Sequence, residues 1–186
     1  MAIVINKPIK MVLFDVDGVM TDGTIYMAES GEFIKSFNVK DGLAIELLRA
    51  HGIKTGVISG KASPALTTRC QQLGFDVIET GCKHKLPKLE EICNLFDITE
   101  DEIAFCGDDV LDLPIMAHCG LSIAPADAHQ LVLEQADWVS ECNGGSGMVR
   151  DFVDHLLLSQ SGLDLKEIYQ PLLNKIACDD LGGVEQ

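Results

Sequence analysis

Three aspartates stand directly behind a short apolar run near the start of the chain, in the stretch LFDVDGVMTDG. Asp15 and Asp17 are one residue apart, and Asp22 follows within the same stretch, where a turn-forming role is favoured. A strand that ends in two neighbouring carboxylates brings like charges together, so a cation or a proton must relieve their repulsion. The pattern therefore predicts a positively charged partner for Asp15 and Asp17.

Polar residues also follow two later apolar runs. Ser59 and Gly60 come after one run, Lys85 stands near the predicted start of a helix, and a GDDxxD sequence after another run supplies Gly107, Asp108, Asp109 and Asp112. Ligands of open α/β sheets bind outside the carboxyl ends of the strands, so these side chains are expected to share one crevice. Several acids, a hydroxyl and a lysine are the parts of a magnesium-dependent phosphoryl-transfer site.

The elements that must position these residues follow from the spacing of apolar residues. Five short apolar runs are separated by helix-length patterns: MVLF (11–14), TGVI (55–58), DVIE (76–79), IAFC (103–106) and LSIA (121–124). This alternation predicts an α/β fold with a doubly wound, Rossmann-like parallel sheet. Residues 23–37 alternate on both sides of a Glu-Ser-Gly turn and predict a β-hairpin flap after the first strand.

Capping residues, proline and glycine also predict helix boundaries and the domain organisation. Ser63 and Pro64 predict a helix start that closes at Gly74, and Thr99 with Glu102 predicts a capping box before the fourth run. We expect one domain over 1–162. A C-terminal helix and a mobile tail are expected over 163–186.

Composition limits the partners of the chain. Lysine and arginine total 14 against 29 acidic residues, a formal charge of −15 over 186 residues, which disfavours nucleic acid and anionic lipid. No membrane span or signal peptide is visible, so a cytoplasmic location is expected. The seven cysteines are widely spaced without a C-x-x-C pair and indicate reduced thiols.

Several motifs resemble those of one phosphatase superfamily. The sequences FDVDGVMTDGTIYM, FNVKDG, VISGK and GDDVLDLPIM are similar to motifs of the haloacid dehalogenase superfamily. The hairpin, SIAPADAH and GGSGMVRD narrow the resemblance to its capless 3-deoxy-D-manno-octulosonate 8-phosphate phosphatases, over roughly residues 8–160. The resemblance implies a Mg²⁺-dependent phosphoric monoester hydrolase of lipopolysaccharide biosynthesis that forms an aspartyl-phosphate intermediate.

The same resemblance implies roles for the aspartates. Asp15 becomes the nucleophile, and Asp17 the general acid that protonates the departing sugar oxygen and later the base that activates water. Mg²⁺ is implied to be held by Asp15, Asp108 and the backbone carbonyl of Asp17, where it offsets the repulsion between a carboxylate and a phosphate dianion.

The remaining site residues are implied to hold the phosphoryl group. The Ser59 hydroxyl, the Gly60 N–H and the Lys85 ammonium are expected to contact the equatorial oxygens, where charge accumulates in the transition state. A helix-capping role is the alternative for Ser59. Asp109 and Asp112 are expected to orient Lys85 or water molecules bound to the metal.

Substrate choice depends on a second cation, because a sugar-acid phosphate carries a carboxylate as well as phosphate. Lys61, Lys40 and Arg150 are the candidates. The family pattern has arginine where Lys61 and Lys40 stand, and lysine lacks the bidentate fork that holds a carboxylate. A nine-carbon sialic-type acid 9-phosphate therefore stays open as an alternative substrate.

The resemblance also implies a homotetramer built by the hairpin, in which neighbouring subunits cover the open site with residues 144–150 and the tail. Ile25, Phe33 and Phe37 would supply apolar hairpin surface, unless they pack back on their own domain. A non-catalytic binding and oligomerisation module is the alternative of another class. Retention of the complete set of Asp15, Asp17, Ser59, Lys85 and Asp108 argues against it.

Overall fold

The computed structural model describes residues 3–29 and 31–178, apart from the side chain of Phe33. The strands in these residues are β1 Met11–Phe14, β2 Tyr26–Ala28, β3 Gly31–Ile34, β4 Lys54–Ser59, β5 Val77–Thr80, β6 Ile103–Cys106, β7 Leu121–Ala124 and β8 Trp138–Val139. The helices are α1 Val39–Ala50, α2 Pro64–Leu73, α3 Lys85–Phe96, α4 Leu113–Met116, α5 Gln130–Gln135, α6 Met148–Ser161 and α7 Leu165–Ala177. The tail predicted to be mobile lies outside the described residues from 179 onward.

Six strands form one parallel sheet in the order β5-β4-β1-β6-β7-β8. Strand β1 lies at its centre, so the chain winds outward in both directions from the first strand. The predicted doubly wound, Rossmann-like fold is confirmed. Strands β2 and β3 pair antiparallel as a separate hairpin, which confirms the predicted flap. Between β1 and β4 the described chain forms only this hairpin and α1.

The two faces of the sheet each bury an apolar layer. In β1, Val12 and Phe14 pack on one side against α1, α2, α6 and α7, while Met11 and Leu13 pack on the other against α3, α4 and α5. All four side chains are fully buried. A strand covered on both faces must be apolar throughout, which explains why these runs do not alternate with polar residues.

Local signals set the helix ends where they were predicted. The Ser63 side chain accepts a hydrogen bond from the Leu66 N–H at 3.2 Å, Pro64 is the first residue of α2, and Gly74 closes it at φ 64°. The capping box of Thr99 and Glu102 is also present, around a 3₁₀ turn before β6. These contacts satisfy backbone groups that the helix itself leaves unpaired.

The hairpin and the C-terminal helix join the domain differently. Ile25 is 43% exposed, whereas Phe37 packs against the core of its own domain, so of these two predicted surface residues only Ile25 adds apolar surface to the hairpin. Helix α7 buries Ile168 and Leu172 against α1 and α6. No helix of the described chain is long and apolar enough to cross a membrane.

Candidate active site

Several of the predicted site residues meet at the carboxyl edge of the central strands. Asp15 directly follows β1, Ser59 ends β4, and Asp108 lies two residues beyond β6. Asp15 stays in register because its N–H donates to the Cys106 carbonyl at 2.8 Å, which extends the pairing of β1 and β6. Lys85 is the first residue of α3, which starts from the same edge.

Lys85 is the buried cation of this crevice. Its Nζ atom lies 2.6 Å from Oδ1 of Asp15 and 2.6 Å from Oδ1 of Asp112, and its side chain is 6% exposed. Burial by itself lowers the pKa of Lys85, but the two carboxylates outweigh burial and raise it. The ammonium therefore stays charged beside the predicted nucleophile.

Three carboxylates surround this cation and exceed its charge. One oxygen from each of Asp15, Asp108 and Asp112 lies within 4.8 Å of the others. Burial and then the neighbouring carboxylates raise the pKa of Asp108 to about 8, and burial raises that of Asp15 to about 6. The described residues give the Asp108 carboxylate no hydrogen bond. Such a cluster of hard oxygen donors with excess negative charge fits Mg²⁺.

Gly18 lets the Asp108 carboxylate approach the catalytic loop, which comprises residues 15–23 after β1. Its φ is +91°, and a Cβ atom there would lie 2.0 Å from Oδ2 of Asp108. Any side chain at this position would displace the carboxylate, so the glycine of DVDG is required by close approach as well as by conformation.

The Asp17 carboxylate is not part of the cluster. It forms an ion pair with Lys35, which also lies 3.0 Å from Oε1 of Glu32. The side chain of Lys35 is 1% exposed. Sequence analysis missed this lysine, because nothing in the hairpin pattern separates it from an ordinary solvated lysine. That the Asp17 backbone carbonyl binds the metal stays a prediction.

Ser59 does not cap helix α2, and its contact with the phosphoryl group stays a prediction. Ser63 caps α2, whereas the Ser59 hydroxyl is buried at the strand end and accepts a hydrogen bond from the Lys61 N–H at 3.3 Å. Gly60 is exposed, and the nearest atom to a Cβ built there is the Cys82 carbonyl oxygen at 4.0 Å. This loop is therefore open above the site.

Asp109 and Asp112 occupy different environments. Asp112 is 2% exposed; its Oδ1 contacts Lys85, and its Oδ2 accepts from the Asp108 N–H at 3.1 Å. The Asp109 carboxylate instead accepts from the Val110 N–H at 2.7 Å and is exposed. The structure thus brings Asp112 to Lys85 and leaves Asp109 at the rim.

The candidate carboxylate-binding cations also differ. Lys61 and Lys40 are exposed, and their amino groups make no ion pair in the described chain. Arg150 lies 3.5 Å from Asp154 through Nε, donates to the Tyr169 hydroxyl and covers the Tyr169 ring at 4.9 Å. Its guanidinium thus holds α7 onto α6, and a substrate role for Arg150 stays a prediction.

The glycine segment GGSG packs on the catalytic loop of the same chain. A Cβ atom at Gly144 would lie 1.8 Å from the Gly18 carbonyl oxygen, and the Gly145 N–H donates to the Val19 carbonyl at 2.9 Å. Asp127 of the ADAH motif fixes the segment by accepting from the Gly144 N–H at 2.9 Å. The glycines allow this backbone contact, which shapes the loop that carries Asp17.

Two further hydrogen bonds connect the motifs. The His129 N–H donates to the Asp108 carbonyl at 2.8 Å, which ties ADAH to the acidic loop. Buried Asp41, in FNVKDG, accepts from the Arg150 N–H at 3.0 Å near the start of α6. Sequence analysis did not assign either role, because both contacts join segments far apart in the chain.

A carboxylate cluster, a buried lysine and a strand-end serine on a doubly wound sheet are features of haloacid dehalogenase-like hydrolases. The family model with that description matches residues 59–151. The chain is also 40% identical over 156 residues to 3-deoxy-D-manno-octulosonate 8-phosphate phosphatase KdsC of Escherichia coli K12, covering 84% of this chain and 83% of the relative. The chain belongs to the 3-deoxy-D-manno-octulosonate 8-phosphate phosphatase family of haloacid dehalogenase-like hydrolases.

Solved structures of the family agree with the fold. The cobalt-bound deoxy-D-mannose-octulosonate 8-phosphate phosphatase of Haemophilus influenzae superposes with a TM-score of 0.83 at 38% identity, covering 89% of this chain and 96% of that one. The phosphatase of Moraxella catarrhalis, in complex with magnesium ion, phosphate ion and a KDO molecule, has a TM-score of 0.79 at 30% identity, covering 83% and 88%.

Proposed function

We propose that this chain is a Mg²⁺-dependent phosphatase that hydrolyses 3-deoxy-D-manno-octulosonate 8-phosphate, the substrate named for its relatives. The observation that carries the proposal is the buried Lys85, 2.6 Å from both Asp15 and Asp112, beside the unbonded carboxylate of Asp108. This arrangement keeps a nucleophile, a cation and a set of metal-binding oxygens within one crevice. In the family this reaction belongs to lipopolysaccharide biosynthesis.

Asp15, Asp108 and the backbone carbonyl of Asp17 would hold Mg²⁺. When bound, the ion reduces the repulsion between the Asp15 carboxylate and the phosphate dianion. Both oxygens of Asp112 already accept hydrogen bonds, one from Lys85 and one from the Asp108 N–H, so Asp112 would hold these two residues in place without binding the ion itself. Its negative charge keeps Lys85 aimed at the nucleophile.

The chemistry follows from the placement of the two aspartates. An Asp15 oxygen attacks phosphorus and forms an aspartyl phosphate, while the bond from phosphorus to the sugar oxygen breaks and that oxygen takes a proton from Asp17. Water then attacks the phosphorus of the aspartyl phosphate and gives a proton to Asp17. The bond between phosphorus and the Asp15 oxygen breaks, so that phosphate is released and Asp15 is restored. Asp17 thereby returns to its starting protonation state.

Ser59, Gly60 and Lys85 bind the phosphoryl oxygens in this scheme. The Ser59 hydroxyl and the Gly60 N–H lie at the open end of β4, and Lys85 approaches from α3. Donors fixed before the substrate arrives stabilise the charge of the transition state without reorganising during the reaction. The burial of Lys85 strengthens its contribution because water does not screen it there.

For the substrate carboxylate we propose Lys61 as the principal cation. Lys61 lies two residues after Ser59, and both it and Lys40 are exposed with amino groups that make no ion pair in the described chain. Arg150 is the weaker candidate, because Asp154 and Tyr169 already hold its guanidinium. Selection between eight-carbon and nine-carbon acids would then depend on how far Lys61 reaches from the phosphoryl group.

We also propose a homotetramer that encloses the site. The hairpin exposes apolar side chains, including Met27 at 70% and Ile34 at 49%. Isolated apolar residues are common on surfaces, but a run of them on one hairpin favours a protein contact. Light scattering of the full chain at micromolar concentration tests this assembly, and a fully active monomer would contradict it.

The location and domain division are proposals as well. All seven cysteines are free thiols, which favours a reducing compartment such as the cytoplasm. Residues 1–162 would form the phosphatase domain, and 163–186 an accessory helix and tail. Helix α7 supports the domain by packing Ile168 and Leu172 against it.

The proposed function is tested by phosphate release from a panel of sugar-acid phosphates with eight and nine carbons. Mg²⁺-dependent release that EDTA abolishes, with the highest kcat/KM for the eight-carbon acid, is the expected result. A higher kcat/KM for the nine-carbon acid would identify that compound as the substrate instead. No release from any phosphate monoester would favour a non-catalytic binding module.

A further inference from the structure

Lys35 is a buried cation on a largely exposed hairpin. Its side chain is 1% exposed, whereas Met27, on the facing strand, is 70% exposed. Lysine is among the residues least often fully buried, because its ammonium loses hydration unless anions replace the water. Lys35 has two such anions: Asp17 and Glu32, the latter at 3.0 Å.

The identity of the partners points to catalysis and not to stability. A buried ion pair contributes little net stability compared with well-packed apolar residues, so the fold alone gives weak reason for a lysine here. Asp17 makes no other ion pair or side-chain hydrogen bond in the described part of the chain. Lys35 is thus the one described side chain that fixes the direction of the Asp17 carboxylate.

We propose that Lys35 is a positioning residue for Asp17, an inference that rests on the proposed phosphatase function. Asp17 must give a proton to the leaving oxygen in one step and take one from water in the next. A carboxylate on a loop that rotates freely would perform both transfers less often. Lys35 holds Oδ1 of Asp17, which leaves Oδ2 for the transferred proton, and Glu32 offsets the charge of the Lys35 ammonium. The hairpin thereby becomes part of the site.

The test compares Lys35→Met with Lys35→Arg and with Lys54→Met as the matched control. Lys54 is an exposed lysine that pairs with Asp76 at 2.8 Å at the start of β4, at the opposite edge of the sheet. We expect Lys35→Met to lower kcat roughly tenfold to a hundredfold, which is a smaller loss than removal of the general acid/base itself would cause. KM should change less than about threefold. Lys35→Arg should restore part of kcat, and Lys54→Met should match wild type.

The leaving group separates positioning from general damage to the site. p-Nitrophenyl phosphate needs little protonation of its leaving oxygen, so Lys35→Met should keep its first-turnover burst of p-nitrophenol while the later hydrolysis of the aspartyl phosphate slows. A distorted site would lose the burst as well. A loss of burst rate equal to the loss of kcat on the sugar-acid phosphate would therefore overturn the proposal.

A double-mutant cycle tests whether Lys35 acts through Asp17. In an Asp17→Asn background, adding Lys35→Met should change steady-state turnover and burst rate less than about twofold, because the residue that it positions is already lost. If the losses caused by Lys35→Met and Asp17→Asn multiply in the double variant, Lys35 acts independently of Asp17. A raised KM with unchanged kcat would assign Lys35 to substrate binding. Either result contradicts the proposal, as would a Lys35→Met kcat within about threefold of wild type.

The activity of the wild type distinguishes failure of the proposed function from failure of the proposal for Lys35. If wild type hydrolyses p-nitrophenyl phosphate but no sugar-acid phosphate, the substrate is wrong, and the Lys35 comparison still proceeds on the aryl ester. If wild type hydrolyses neither, Asp17 has no proton transfer to perform and the proposal for Lys35 fails with it. Circular dichroism of each full-chain variant verifies folding, and Lys35→Gln replaces Lys35→Met if the latter does not fold.

Discussion

The Nζ atom of Lys85 lies 2.6 Å from Oδ1 of Asp112, whose other oxygen accepts a hydrogen bond from the Asp108 N–H at 3.1 Å. Asp112 thus joins Lys85, the proposed phosphate-binding cation, to Asp108, a proposed ligand of Mg²⁺. Asp112→Asn should lower kcat/KM roughly tenfold to a hundredfold, the range for loss of a supporting carboxylate. Asp101→Asn, an exposed aspartate paired with Lys7, is the control. Equal activity of both variants in phosphate release would contradict the support role.

Asp15→Asn should leave a folded but inactive protein. The amide has nearly the same volume as the carboxylate but cannot form the phosphoenzyme, so a loss on the order of 10³-fold or more is expected. Circular dichroism checks the fold, and phosphate release checks turnover. Turnover within about tenfold of wild type would remove Asp15 from the nucleophile role.

Stability should depend on pH through the acidic cluster. The pKa of Asp108 is 3.8 in the unfolded chain and about 8 in the folded chain, and that of Asp15 rises to about 6. Over this interval the folded chain binds more protons than the unfolded chain, so the free energy of unfolding without added metal falls as pH rises from about 4 to about 8. Both carboxylates therefore destabilise the fold most where they are ionised.

Magnesium should reverse this effect because it binds the ionised carboxylates. The increase in Tm on adding Mg²⁺ should be larger near pH 8 than near pH 6, as thermal unfolding in EDTA and in Mg²⁺ would show. Asp108→Asn should remove most of the pH dependence of that increase. A Tm increase of the same size at both pH values would show that metal binding does not compete with these protons.

Gly144→Ala should disrupt the catalytic loop. Its Cβ would lie 1.8 Å from the Gly18 carbonyl oxygen, so the free energy of unfolding should fall by about 3 kcal/mol or more. Gly162→Ala is the control: it meets no atom within 4 Å and carries only the strain of φ +67°, about 1 kcal/mol. Urea unfolding of both variants separates collision from backbone strain. A Gly144→Ala loss no larger than the control's would contradict the close contact.

Lys61→Ala tests recognition of the substrate carboxylate. If Lys61 binds it beside a neighbouring subunit, KM for the sugar-acid phosphate should rise enough to lower kcat/KM roughly tenfold to a hundredfold. Hydrolysis of p-nitrophenyl phosphate, which has no carboxylate, should scarcely change. Equal losses on both substrates would assign Lys61 to the phosphoryl group or the fold.

The sequence by itself determined the fold and the position of the candidate phosphoryl-transfer residues at the strand ends. Apolar runs of strand length, a proline after Ser63 and a glycine at 74 are local signals, and the structure places the strands and α2 where they predict. Parallel strands share one carboxyl edge, so Asp15, Ser59 and Asp108 meet there once the topology is known. Backbone preferences and the geometry of a parallel sheet are therefore sufficient to predict the strands, helix α2 and the edge at which these residues meet.

Only the tertiary structure decided which side chains contact one another. The pairs Lys35 with Asp17 and Lys85 with Asp112 join residues from different elements, and the contact of Gly144 with Gly18 spans most of the chain. These contacts depend on the path of the hairpin and on helix packing, which no local periodicity encodes. Nothing in the local sequence distinguishes Lys61 from Lys35, yet packing exposes Lys61 and buries the side chain of Lys35 against Asp17.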